Sequence, residues 1–335
     1  MRKLFPDYFL ITLKGLAMGA ADVVPGVSGG TIAFISGIYQ ELIDTINKVD
    51  FSFFSSWKKN GFKIAWQQIN GSFLLALLSG IAISILSLSK VITHLLETQP
   101  ILVWSFFFGL VIASIYFVGK QITDKKLSTI LFFAVGTIIS YYITIVEPVA
   151  SPDSYIYLFI SGFIAIIAMI LPGISGAFIL VLMGSYAIVI GTINQFREGL
   201  VSLDFSLISK SALKLMTFAI GAILGIKLFS KVLNWMFDNY RNATMAVLTG
   251  FMLGSLNKVW PWKKVLSTRI DSHGKEVAVL EKSILPQYYE GDSQITMAII
   301  LTPVIGIVEN RIENYLGHET AKKMKLAAMG IENEV

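Results

Sequence analysis

One short pattern in this 335-residue chain, Pro-Gly-x-Ser-Gly, occurs twice, each time inside an apolar stretch. The first copy lies in Val24-Pro25-Gly26-Val27-Ser28-Gly29-Gly30-Thr31 and the second in Leu171-Pro172-Gly173-Ile174-Ser175-Gly176-Ala177-Phe178. Proline and glycine stop a helix, and hydrocarbon offers nothing to the backbone groups so released. Such a break persists in a membrane only where protein buries it or where it lines a polar cavity. After each Pro-Gly, Ser28 or Ser175 suits the N-cap of an outgoing helix. Gly29, Gly30 and Gly176 allow close backbone approach. The first N–H groups of the outgoing helix lack helical partners, and with the helix dipole they attract an anion. The chemistry indicated is recognition of a phosphate by two half-helix N-termini built from Pro25, Gly26, Ser28, Gly29, Gly30 and Thr31 on one side and Pro172, Gly173, Ser175 and Gly176 on the other. Simple packing kinks would use the same glycines, but matched interruptions in two halves of a chain are the pattern of a transport site.

Charged residues near the breaks extend the list. Asp22 lies three positions before Pro25, where the second copy has Met169. A carboxylate there is expected either to bind a coupling proton or sodium ion or to cap freed N–H groups. Glu41, on the outgoing arm, is a second coupling candidate, although an interfacial role suits it as well. Lys14, on the incoming arm, and Lys227, inside a later apolar segment, are candidate headgroup contacts; snorkelling to the interface is the competing role. The chain has no cysteine and three scattered histidines, so thiol chemistry is excluded, and no metal site or cofactor is expected. No nucleophile with an acid–base partner is visible, which argues against an enzyme.

The elements that must position these residues are membrane helices. The chain is 54% hydrophobic and 15% charged, with a mean hydropathy of +0.68. The expected fold is an all-α polytopic membrane protein. Residues 1–150 read as a first unit: an interrupted stretch over 8–45, an interfacial helix over 50–70 rich in Phe, Trp and Lys, and crossings over 72–96, 101–119 and 127–146. Residues 151–335 read as a second unit: an interrupted stretch over 155–194, crossings over 211–237, 243–262 and 295–308, a polar loop over 263–293 and a polar tail. Each interrupted stretch divides into two arms of about 16 residues, roughly 24 Å each, and is read as a re-entrant hairpin.

The repeat reaches beyond the breaks. Gly37 and Tyr39 match Gly184 and Tyr186; Gly109 and Ser114 match Gly250 and Ser255. An odd number of crossings per unit predicts that the second unit is inverted. The pairs Gly15–Gly19, Gly221–Gly225 and Gly250–Gly254 read as helix-packing surfaces. The net charge of +5 suits basic cytoplasmic loops and not a nucleic-acid partner, and the Lys and Arg distribution places both termini in the cytoplasm.

The run Gly19-Ala20-Ala21-Asp22-Val23-Val24-Pro25-Gly26-Val27-Ser28-Gly29-Gly30-Thr31 followed by Gly37-Ile38-Tyr39, with the second Pro172-Gly173-Ile174-Ser175-Gly176 and Gly184-Ser185-Tyr186, resembles the signature of the PopT family of bacterial polyprenyl-phosphate transporters. The resemblance spans roughly residues 8–310. It implies a multi-pass protein of the bacterial cytoplasmic membrane that moves undecaprenyl phosphate, the recycled carrier of cell-wall assembly, between leaflets. The alternative reading is an ion-coupled transporter or channel for a small anion. Ala177, where the first copy has Gly30, implies that the two half-sites differ.

Overall fold

The computed structural model describes residues 5–298 except 25, 51, 125, 153, 271–275 and 292. Pro25, the polar tail and most of the crossing expected over 295–308 therefore lie outside the described residues.

The described chain is mostly helical. The first interrupted stretch forms α1 (Phe5–Val23), α2 (Gly29–Ile35) and α3 (Tyr39–Lys48). The second forms α10 (Tyr155–Ile170), α11 (Gly176–Leu182) and α12 (Tyr186–Ser202). The expected outgoing arms of about 16 residues are thus not continuous; each turns again after seven residues. The cause is a glycine in the left-handed region, Gly37 at φ 72° and Gly184 at φ 67°. The N–H groups of Gly37 and Ile38 donate to Phe34 and Ala33, and those of Gly184 and Ser185 to Val181 and Leu180. These are two Schellman caps, which close the last carbonyls of α2 and α11. The axes of α11 and α12 then diverge by 106°.

Between the interrupted stretches lie α4 (Ser52–Asn60), α5 (Phe62–Gln68), α6 (Gly71–Ser87), α7 (Ser89–Thr98), α8 (Pro100–Lys120) and α9 (Leu127–Ile145). The expected interfacial helix is two short helices broken at Gly61, and it leaves Phe54, Trp57 and Phe62 exposed. The crossing expected over 72–96 divides at Leu88 into α6 and α7. The crossings expected over 211–237 and 243–262 fall on the two helical halves of α13 (Phe205–Ser255), which part at Tyr240, where the backbone is non-helical (φ −138°, ψ 47°). No proline or glycine interrupts the chain there, and the Thr244 hydroxyl donates to the Tyr240 carbonyl across the kink. Among the described residues α8, α9 and α13 can cross a membrane by length and composition, and up to five spans result if the bent pairs α5–α6 and α11–α12 each count as one. Large apolar side chains along α9 and α13 stay exposed, including Ile138, Tyr142, Met216 and Ile223, as a lipid-facing surface requires.

The helical chain fits the expectation of an all-α membrane protein, with one small addition outside the helices. Part of the polar loop forms an antiparallel hairpin, β1 (Lys263–Ile270) with β2 (Glu276–Ser283), in which Lys263 faces Ser283. Val265 and Thr268 on β1 are β-branched residues that favour this pairing.

Small residues bring the helices together. A Cβ on Gly80 would stand 2.1 Å from the Thr12 carbonyl oxygen, and one on Gly221 the same distance from that of Phe159. So α1 packs on α6 as α10 packs on α13. The expected packing role of Gly250–Gly254 holds too: both press on α9, at Phe133 and Thr137. The main core surrounds the breaks, with Val24, Val27, Ile38, Ile170, Met252 and Val259 in one buried cluster.

Candidate functional site

The two breaks share one backbone course. Gly26 has φ 87° and Gly173 has φ 89°. Ser28 (φ −122°, ψ 132°) and Ser175 (φ −96°, ψ 130°) both take the extended conformation of an N-cap. A left-handed glycine followed by an extended serine reverses the chain before α2 and α11 begin.

Their hydrogen bonding differs. In the first break Asp22 Oδ1 accepts the Gly29 N–H at 2.7 Å and Ser28 Oγ accepts the Gly30 N–H at 3.1 Å. The Thr31 N–H reaches the Ser28 carbonyl at 2.9 Å. The leading donors of α2 are therefore already occupied. In the second break no side chain caps α11, and Met169 stands where Asp22 would be. Ser175 is buried at 7% exposure without making a capping hydrogen bond.

The breaks also hold each other. Ser28 Oγ–H donates to the Met169 carbonyl at 3.0 Å, and the Gly173 N–H donates to Thr31 Oγ1 at 2.8 Å. A Cβ on Gly30 would lie 2.5 Å from the Ile170 carbonyl oxygen. Ala177, its counterpart, is exposed. The Gly30-to-Ala177 difference thus has a steric cause: only the first position is pressed against the other half.

A lysine that sequence reasoning passed over lies beside both breaks. Lys258 follows α13 in a turn closed by its N–H to the Ser255 carbonyl. Its stem lies over Gly26, where an added Cβ would come within 2.5 Å of Lys258 Cγ. Its ammonium lies 4.5 Å from the Phe178 ring centroid, on α11. Nζ also pairs with Glu281 Oε2 at 3.4 Å, on β2. The same oxygen pairs with Lys263 Nζ at 3.5 Å, and that ammonium sits 3.4 Å above the Trp104 ring. Burial pushes the Lys263 ammonium down to about 8, against the pull of Glu281. Burial alone would raise the Glu281 carboxyl, but Lys263 and Lys258 outweigh it and hold it below the usual carboxylate range. A signal for Lys258 did exist: in the register that pairs Gly109 with Gly250 its counterpart is Phe117, so the charge is not part of the duplicated scaffold.

Residues 18–277 match the model of the VCA0040-like family, described as undecaprenyl phosphate translocase-like. The chain belongs to this family. It is 46% identical over 299 residues to a polyprenyl-phosphate transporter of Vibrio cholerae serotype O1, covering 88% of this chain and 92% of the relative. It is 31% identical over 261 residues to a polyprenyl-phosphate transporter of Staphylococcus aureus, covering 74% and 85%. No solved structure matches. The matched region of this family member contains both breaks, Lys258 and Lys263.

The other candidates lie apart from this meeting point. Lys14 Nζ donates to the Ser36 carbonyl at 2.7 Å, at the C-terminus of α2. Lys227 Nζ donates to the carbonyls of Ile46, at 2.8 Å, Asn47, at 3.1 Å, and Val49, at the C-terminus of α3. Both ammoniums thus sit at negative helix ends. Glu41 Oε1 accepts from Asn70 Nδ2 at 3.0 Å. A cavity of about 520 Å³, lined by Asp44, Asn47, Lys48, Asp50, Ser52, Gln68, Asn234 and Asp238, lies against the C-terminal end of α3 and contains no break residue. Among the described residues no group of three His, Cys, Asp or Glu could hold a metal ion.

Proposed function

We propose that this chain is a translocase for undecaprenyl phosphate, moving the lipid's headgroup across the cytoplasmic membrane for carrier recycling. The observation that carries this reading is the position of Lys258, whose stem covers Gly26 while its ammonium lies over Phe178. One cation thereby serves two backbone breaks. A lipid monophosphate needs its charge shielded from hydrocarbon while its tail stays in lipid. The Ser175 hydroxyl and the Lys258 ammonium receive the phosphate, because the leading donors of the first break are taken by Asp22 and Ser28. Gly26, Ser28, Gly29, Gly30 and Thr31 frame the site, with Pro172, Gly173 and Gly176 completing it. The repeated backbone at Gly26 and Gly173, and at Gly37 and Gly184, supports an inverted duplication with re-entrant segments. Asp22, confined to the first half, carries the coupling ion.

The test is headgroup translocation in proteoliposomes loaded with a polyprenyl monophosphate. Wild-type protein accelerates headgroup movement, and Lys258→Met abolishes it while keeping its stem over Gly26. Chloride or dicarboxylate flux that polyprenyl phosphate leaves unchanged would instead establish the small-anion transporter.

A further inference from the structure

The β1–β2 hairpin brings a carboxylate into the site, and this arrangement has a function of its own. Lys258, Lys263 and Glu281 have side chains only 14%, 7% and 21% exposed. Two ammoniums share one carboxylate oxygen, so the cluster carries a net charge of +1 in a poorly solvated place. Their separations of 3.4 Å and 3.5 Å exceed the 2.7–2.9 Å of a strong charged hydrogen bond. Glu281 therefore saturates neither lysine. Trp104 and Phe178 offer ring faces to the ammoniums, which lowers the cost of burying them but neutralises nothing. Among the described residues Glu281 is the one carboxylate paired with either lysine.

The hairpin is anchored where this matters. The Ser283 hydroxyl bonds the Asn257 side chain at 2.8 Å, the Ile284 N–H donates to the Trp262 carbonyl at 3.0 Å, and Trp260 Nε1–H donates to the Ile284 carbonyl at 2.8 Å. Asn257 in turn donates to Thr144 at the end of α9. Glu281, two residues before Ser283, is thus held beside Lys258.

We propose that Lys258 and Lys263 form a two-lysine seat for a phosphate monoester, and that Glu281 is a resident carboxylate that half-neutralises the seat so that the phosphate can leave it. The proposal rests on the translocase reading and deepens it. A carrier must bind well enough to load and weakly enough to release. A fixed internal anion sets that balance, since it repels a second anion while keeping the empty seat from holding two unpaired buried charges.

The experiment measures binding of farnesyl monophosphate and of inorganic phosphate to the full chain in nanodiscs. Glu281→Gln tightens farnesyl monophosphate roughly tenfold, the scale of one partly buried charge pair, and slows its release. Lys258→Met loses binding, and in the Lys258→Met/Glu281→Gln double variant the gain is absent. Should Glu281→Gln fail to fold, Glu281→Asp draws the carboxylate back and tightens binding by a smaller factor. Wild-type binding of farnesyl monophosphate with no tightening in the folded variant overturns the resident-anion proposal alone. Equal affinity for inorganic phosphate overturns the lipid reading while leaving the two-lysine seat. Binding of neither probe overturns both.

Discussion

Thr31 Oγ1 accepts the N–H of Gly173 at 2.8 Å across 142 positions of sequence. Through this bond the first break fixes the second. Thr31 is 1% exposed, so water cannot replace the hydroxyl. Thr31→Val keeps the volume but leaves a buried N–H unpaired, at a cost of about 1–3 kcal/mol. A lowered thermal midpoint in Thr31→Val that Thr31→Ser restores is the expected result; equal midpoints for the valine variant and wild type would mean that this bond braces nothing.

Gly30 and Ala177 occupy matched positions with different neighbours. Gly30→Ala drives a methyl to 2.5 Å from the Ile170 carbonyl oxygen, and overpacking of this kind costs about 1–3 kcal/mol. Ala177→Gly changes an exposed residue and costs about 1 kcal/mol or less. Denaturation of the two variants side by side measures the difference, and similar losses would contradict the asymmetric packing.

Asp22 caps α2 through Gly29, and an asparagine Oδ1 can accept the same N–H. Asp22→Asn is expected to keep the melting temperature while headgroup translocation falls at least tenfold, as a coupling carboxylate requires. Asp22→Ala loses both. Normal translocation by Asp22→Asn would reduce this residue to a cap.

Lys263 carries the pH dependence. Burial lowers its folded value to about 8 from an unfolded value of 10.5. Between these values the unfolded chain binds more protons than the folded one, so stability rises with pH over this window. Below about 8 the folded protein bears the full cost of a buried ammonium. Lys263→Met should flatten the rise, read as thermal midpoint against pH. Phosphate binding moves the other way in wild type, weakening as Lys263 loses its charge above about pH 8.

Part of the fold was legible residue by residue. Pro172 and Gly173 break a helix through their own backbone, and Ser28 caps the helix that starts after the first break, so the breaks and the first N-cap could be read directly; Ser175 takes the same extended backbone but makes no capping hydrogen bond. The second turn was also written there, in the matched Gly37 and Gly184, but a glycine inside an apolar run reads equally as packing. The 263–293 segment looked like plain loop because its β-branched residues stand among charges; pairing across the hairpin was needed to select the strands. Lys14 and Lys227 could be recognised as cations within apolar segments, but not which carbonyls they would meet.

The amino-acid sequence alone determined the membrane class, the doubled break and its family, since apolar length, proline and glycine act through local chemistry. Tertiary structure decided which donors at the breaks are already spent and which cation faces them. Asp22 reaches Gly29 within a few residues, yet Thr31 meets Gly173, and Lys258 meets Gly26, Phe178 and Glu281, only when distant segments pack together. Occupancy and charge at the site depend on those contacts, and no local pattern encodes them.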